Sequence, residues 1–282
     1  MPILKHNSYG KSGVRLTRVT RTETGHYLTE MTVAIQLEGD FVASYTDGDN
    51  GLVVATDTMK NTVYALARSH PVDSGESFGS HLAEHFLKSY PQVSSVRVAI
   101  EEDQWQRMLV EGEPHPTTFI GGSREKRTAK VFWKRGEARP EIKSGLKDCL
   151  VLKTTDSAFS GFPRDRFTTL PETEDRIMAT SIEAEWGYGD DWPDWTPAFL
   201  SVREAMLNIF ARHFSRSVQE TLQLMGEAAL EACPEMTEIS LQLPNSHRLL
   251  INLEPMGLDN PNEIFVPTNE PYGLITGILR RD

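Results

Sequence analysis

The sequence predicts an α+β fold in which one unit of strands and helices is built twice. Three observations carry this reading. Met31, Val33, Ile35 and Leu37 alternate with polar neighbours, the period of an antiparallel strand with one wet face. Phe78, Leu82 and Phe86 recur at i, i+4 and i+8, the spacing of a helix with one apolar face. The same order of strands, helices and strands then returns after residue 150, as in a tandem duplication of about 140 residues per copy.

In chain order, residues 14–19, 27–37, 41–45 and 52–55 read as strands, and TDGDNG at 46–51 reads as a turn. Helices follow at 58–68 and 76–90, then strands at 93–100 and 105–110. Residues 134–147, rich in charge with Gly and Pro, read as the connector between units. This places the domains at 1–138 and 139–282. The second unit opens on the apolar run Leu150, Val151 and Leu152, read as a buried strand, and on a strand at 182–186. Helices are predicted at 198–213, with Val202, Met206, Ile209 and Phe210 inward, and at 217–233, with Ser217 as N-cap and Val218, Leu222 and Met225 inward. Strands close the chain at 239–243, 249–253, 264–267 and 274–279.

With 39% hydrophobic and 24% charged residues in 282, the composition is that of one large or two ordinary globular domains. The formal net charge of −11 disfavours nucleic acid or an anionic membrane as partner, because both reward clustered Lys and Arg. An anionic ligand would have to be drawn by local positive groups. Cys149 and Cys233 stand alone, without a C-x-x-C, so buried reduced thiols are expected rather than a disulfide framework or a cysteine zinc site. No apolar run reaches the ~18 residues of a membrane span, and the first residues hold too short an apolar core for a signal peptide. A soluble, intracellular protein is expected.

His81, Glu84 and His85 fit H-x-x-E-H, a zinc-protease pattern, but the apolar face of the same helix explains the run by packing, and no metal is assigned. The acidic turn at 46–51 lacks the closing glutamate of a calcium loop. G-x-G-x-x-G and Walker patterns are absent from the sequence, so nucleotide chemistry has no support.

The remaining candidates are polar residues at element ends. Phe159 offers a flat ring and Arg176 a rigid fork of donors for a planar anion, although core and solvated roles are the commoner fates. Thr56 and Asp57 sit where a helix begins and could present N–H groups to an anion or serve as a plain cap. Val218 and Gln219 occupy another first turn, and Asn245 and His247 fall in a predicted turn between strands, where turn chemistry alone explains an asparagine.

The segment from Lys153 through Thr154, Thr155, Ser157, Phe159, Phe162, Phe167 and Leu170 to Arg176 resembles the signature of the urate oxidase (uricase) family. YGKSGVRL at 9–16, VVATDTMKNTVYALA at 53–67, FGSHLAEHFL at 78–87, PHPTTFI at 114–120, SVQETL at 217–222 and LPNSHRLLINL at 243–253 fall in that family's order. The resemblance implies tandem tunnelling-fold (T-fold) domains, whose antiparallel sheets form a barrel in the oligomer with helices outside. It implies oxidation of urate by dioxygen to 5-hydroxyisourate and hydrogen peroxide with no cofactor. Lys11, Thr56 and His247 match the family's proton relay. Phe159, Arg176, Val218 and Gln219 match its grip on urate, with Thr56 and Asp57 also at the substrate and Asn245 facing dioxygen or water. It further implies a homotetramer, with Lys11 and Thr56 from one subunit meeting Phe159, Arg176 and Gln219 of its neighbour. The sequence ends Arg280-Arg281-Asp282 rather than in a peroxisomal tripeptide, which favours a cytoplasmic location. The alternatives are a T-fold enzyme acting on a pterin, for which no metal or acid–base motif stands out, and a non-catalytic purine-binding paralogue, whose mark would be loss of Lys11, Thr56 or His247.

Overall fold

Strands β1 (Tyr9–Thr22) and β2 (Gly25–Gly39) pair antiparallel, and Met31, Val33, Ile35 and Leu37 of β2 are fully buried, the face to which their period of two assigns them. The computed structural model describes residues 3–282, the side chain of Asn269 excepted. Between Lys11, opposite Ile35, and Val14, opposite Val33, the ladder slips by one extra residue on β1, a β-bulge with Gly13 at φ 70°. Three helices follow: α1 (Val42–Thr46), α2 (Thr56–Ser69) and α3 (Gly75–Ser89). Ser74 caps α3 by accepting from the Ser77 N–H at 3.1 Å. Phe78, Leu82 and Phe86 lie fully buried on its inner face.

Strands β3 (Val93–Val110) and β4 (Glu113–Lys134) complete the first sheet in the order β1-β2-β3-β4, every pair antiparallel. Helix α3 packs so close to it that a Cβ on Gly79 would lie 2.8 Å from Val131 Cγ2. At the start of this helix Glu76, fully buried, pairs with Arg127 at 2.9 Å and accepts from the Ser144 hydroxyl at 2.5 Å. The carboxylate therefore enters the core with its partners in place.

The second unit repeats the plan with β5 (Glu141–Lys153), β6 (Met178–Tyr188), α4 (Trp195–Arg212), α5 (Val218–Ala232), β7 (Met236–Leu250) and β8 (Phe265–Arg280). Its strands run in the order β5-β6-β7-β8. Trp186, Phe199, Val202, Met206, Phe210, Leu222 and Met225 fill the space between helices and sheet. The chain divides into two compact units, Met1–Gly145 and Leu146–Asp282. Each is an antiparallel sheet with helices, so the fold class is α+β. Among the described residues no helix is long and apolar enough to cross a membrane. Cys149 and Cys233 are buried and form no disulfide.

Several elements differ from the sequence reading, each for a local reason. Residues 41–45 are not a strand: Phe41 is buried ahead of α1, and Val42 and Tyr45 are exposed. Residues 52–55 are a loop, because the backbone of Val54 bonds the Tyr9 hydroxyl instead of a neighbouring strand. The segment read as a connector at 134–147 is largely β5, where Ile142, Ser144 and Leu146 turn inward between charged residues. Leu150 and Leu152 are strand residues but 60% and 46% exposed, and it is the neighbouring Cys149 that joins the core. The strands read as pairs within 93–110, 239–253 and 264–279 are the single long strands β3, β7, which ends at Leu250, and β8, which begins at Phe265, broken by register shifts at Asp103/Trp105, Arg107/Leu109 and Asn245/His247. Each shift resets the period of two, which hides the continuity from the sequence. Asn245 and His247 accordingly lie inside β7 rather than in a turn.

Candidate active site

In the first unit the bulge aims the start of β1 at the start of α2. The Tyr9 hydroxyl accepts from the Val54 N–H at 2.7 Å and donates to the Val54 carbonyl at 3.2 Å, while its ring meets Phe41 edge-on at 4.8 Å. This clamp holds the loop that precedes α2 against β1, two residues from Lys11. Lys11 and Asp57 feel each other: the Asp57 carboxyl is held below its usual range, first by the hydrogen bond from Lys60 and its charge, with Lys11 adding to the same effect. Asp57 also accepts from Asn61 at 2.9 Å. Thr56 is the first residue of the helix and Asp57 the second, so neither is its cap. That position belongs to Ala55, which makes no side-chain capping bond. Helices α3 and α5 are capped by serines; α2 begins without a side-chain cap, so the positive end of its dipole is not met by a capping oxygen.

In the second unit three stretches of chain are laced together. Phe159 and Thr173 exchange backbone hydrogen bonds at 2.8 and 3.1 Å, and the Arg176 N–H donates to the Ser157 carbonyl at 2.8 Å. The ring of Phe159 is backed by Phe162 at 4.9 Å and 14°, and the Arg176 guanidinium lies 5.1 Å from its centroid. Burial pulls the guanidinium below the usual arginine range, and its Nε has no hydrogen-bond partner. Ala158 donates to the Ser215 carbonyl at 2.8 Å, which docks this loop on the entry to α5. There Ser217 caps the helix by accepting from the Glu220 N–H at 3.1 Å, leaving Val218 buried and Gln219 exposed in the first turn.

Asn245 lies opposite Thr180 on β6, four residues beyond Arg176, and His247 follows on β7 just past the register shift. The structure thus brings Lys11, Thr56 and Asp57 together in one unit. Phe159, Arg176, Val218 and Gln219 cluster in the other, with Asn245 and His247 on the strand beside β6. Tyr9 and Ser215, which hold these groups in position, were not singled out from sequence. Tyr9 belongs to the YGKSGVRL segment at 9–16, whereas nothing in the local pattern marks Ser215. His81 of the H-x-x-E-H run packs on His70 with centroids 5.0 Å apart, and Glu84 pairs with Lys88 at 2.7 Å. Among the described residues no three His, Cys, Asp or Glu side chains are grouped to hold a metal ion.

The class the fold defines is an antiparallel α+β protein of two compact units, the second carrying an arginine beside a stacked phenyl pair. The uricase family model matches residues 7–132 and 142–276. The chain is 42% identical over 280 residues to the uricase of Arthrobacter globiformis, covering 99% of this chain and 90% of that one. It is 37% identical over 283 residues to the uricase of Dictyostelium discoideum, covering 100% and 98%. The crystal structure of the Arthrobacter globiformis uricase superposes with a TM-score of 0.92, covering 100% of this chain and 96% of that one. A hyperthermostable variant of Bacillus sp. TB-90 urate oxidase, 26% identical, superposes at 0.85, covering 98% and 99%. The chain belongs to the uricase family, and it is an oxidoreductase.

Proposed function

We propose that this protein oxidises urate with dioxygen to 5-hydroxyisourate and hydrogen peroxide. The observation that carries the reading, beside family membership, is the desolvated Arg176 guanidinium 5.1 Å from the Phe159 ring. A planar anion laid on that ring comes within reach of a partly buried fork of donors whose Nε has no other hydrogen-bond partner. Gln219 and the Val218 N–H at the start of α5 supply an opposing amide edge and the positive end of a helix.

Urate is an electron-rich purine, so its dianion can give electrons to dioxygen without a resident cofactor. The protein's task is to take the proton and hold the charge. Lys11, as a free amine, accepts the Thr56 hydroxyl proton as that hydroxyl takes the substrate's, and His247 passes the proton onward. Two electrons pass from the dianion to dioxygen as oxygen adds at C5, and the relay returns the proton that completes the C5 hydroperoxide. With a second proton the hydroperoxide leaves as hydrogen peroxide, and water adds at C5, giving up a proton to the relay, to form 5-hydroxyisourate. Asn245 faces the dioxygen or water. In this reading each unit is a T-fold domain, the sheets close into a barrel in a homotetramer with helices outside, and Lys11 and Thr56 meet Phe159, Arg176 and Gln219 of a neighbouring subunit. Closure of that kind also covers strand edges that a lone chain leaves open.

The test is loss of urate's near-ultraviolet absorbance with peroxide followed in parallel, on protein dialysed against a strong chelator. Absorbance loss with equimolar peroxide supports the reading. A protein that is thermally stabilised by xanthine yet consumes no urate would instead be a purine-binding member of the family.

A further inference from the structure

Lys153 ends β5, and its amine turns back onto the end of α4. Its Nζ donates to the His213 carbonyl at 2.6 Å and to the Phe210 carbonyl at 3.5 Å, and lies 6.0 Å from the Phe210 ring centroid. The last carbonyls of a helix lack partners within it, and a cation there also meets the negative end of the dipole. The end of β5 is thereby tied to the end of α4. From this tie both chains run on in step. Ser215 donates its N–H to the Asp156 carbonyl at 2.9 Å and accepts from the Ala158 N–H at 2.8 Å. Ser215 and Thr221 are both fully buried, their hydroxyls 2.7 Å apart, and Ser215 also donates to the Ser217 carbonyl at 3.1 Å. One chain then delivers Phe159 and the other delivers Val218 and Gln219. The Lys153 bonds to the end of α4 and the Asp156–Ser215 and Ala158–Ser215 bonds beyond them thus join the two segments at successive points.

We propose that Lys153 is a positioning residue for substrate: it sets the spacing between the Phe159 ring and the first turn of α5, so that one flat anion is held by its face and its edge together. This rests on the reading of the site given above. Loss of the ammonium frees two helix-end carbonyls and lets the two chains slide. Because alignment of a bound ligand is sensitive to shifts of about 1 Å, affinity suffers before fold does.

The test compares Lys153→Met and Lys153→Arg with wild type. Lys153→Met should raise KM for urate and the Kd for xanthine about tenfold with kcat within about twofold, and amide exchange at Ala158 and Ser215 should accelerate. Lys153→Arg, which keeps donors on a long stem, should restore both. Unchanged affinity in Lys153→Met, whatever its melting temperature, overturns the proposal, as does a fall in kcat at constant KM. If Lys153→Met does not fold, Lys153→Gln takes its place, with weakened xanthine binding expected and unweakened binding fatal. The exchange measurement needs no substrate. A wild type that fails to oxidise urate therefore sinks the functional reading alone, while unchanged exchange sinks the positioning role alone.

Discussion

Lys11 is the residue on which the proposed chemistry turns, and its removal separates binding from turnover. Lys11→Met leaves Phe159, Arg176 and Gln219 untouched, so xanthine binding should persist while kcat falls by about 10²–10⁴, the usual range for a general base. Turnover at the wild-type rate would mean that the base lies elsewhere. Glu102 shows the opposite case, a carboxyl whose burial serves no proposed step. Desolvation pushes it above the ordinary 4.5, Arg127 partly offsets this, and the charges of Glu76 and Asp103 add to the rise. A raised carboxyl favours folding when protonated. Its contribution is complete below about pH 4.5 and disappears as pH rises through the folded-state value. At neutral pH each unit of that rise costs about 1.4 kcal/mol. Glu102→Gln should therefore raise the melting temperature at pH 7 by a few degrees, with the gain shrinking toward pH 4.5, as read by calorimetry across that range. At this scale Phe159 and Arg176 stood out only through the family resemblance, since a ring and a guanidinium have commoner fates in a core or in solvent. The sequence could not show Tyr9 or Ser215, whose roles depend on partners far along the chain.

Helices were the legible elements. The spacing of Phe78, Leu82 and Phe86 and of Val202, Met206 and Phe210 placed α3 and α4 within a few residues, and Ser217 announced α5. Strands were legible in part. Beyond Ile100, β3 presents Trp105 and Leu109 at 38% and 68% exposure, yet residues 105–110 still read as a strand; β4 was missed, because Pro114, Pro116 and the polar run from Gly121 to Lys126 hide its period. The cap at Ser217 does double duty, since it starts the helix that carries Val218 and Gln219. Ser217→Ala should cost about 1 kcal/mol in urea denaturation and also weaken xanthine binding. Weakened binding without lost stability would place the effect in the ligand contact rather than the cap.

The doubled plan was readable because the same alternation of strand and helix signals occurs twice, although the unit boundary was hidden by β5, whose short inward residues Ser144 and Gly145 carry little apolar signal. A chain of net charge −11 repels its own copies, so any tetramer must be held by strand pairing and apolar contact. Exposed Leu249, Leu250, Leu274 and Ile278 supply such surface on β7 and β8. Specific activity should then fall on dilution, in step with the loss of the tetramer in sedimentation, and should recover on concentration. Full activity in a sedimenting monomer would remove the neighbouring subunit from the site.

The bulge in β1 makes the facing of Lys11 a matter of counting. Tyr9 and Lys11 stand at odd positions and the buried Val14 and Leu16 at even ones, yet the extra residue turns both sets toward the helices. Shortening the chain by one residue at Ser12 or Gly13 alters no group assigned to the chemistry, and it would carry Lys11 through to the far side of the sheet. Reactivity at this end of the molecule is thus inherited as a length, and a catalogue of side chains could pass it over.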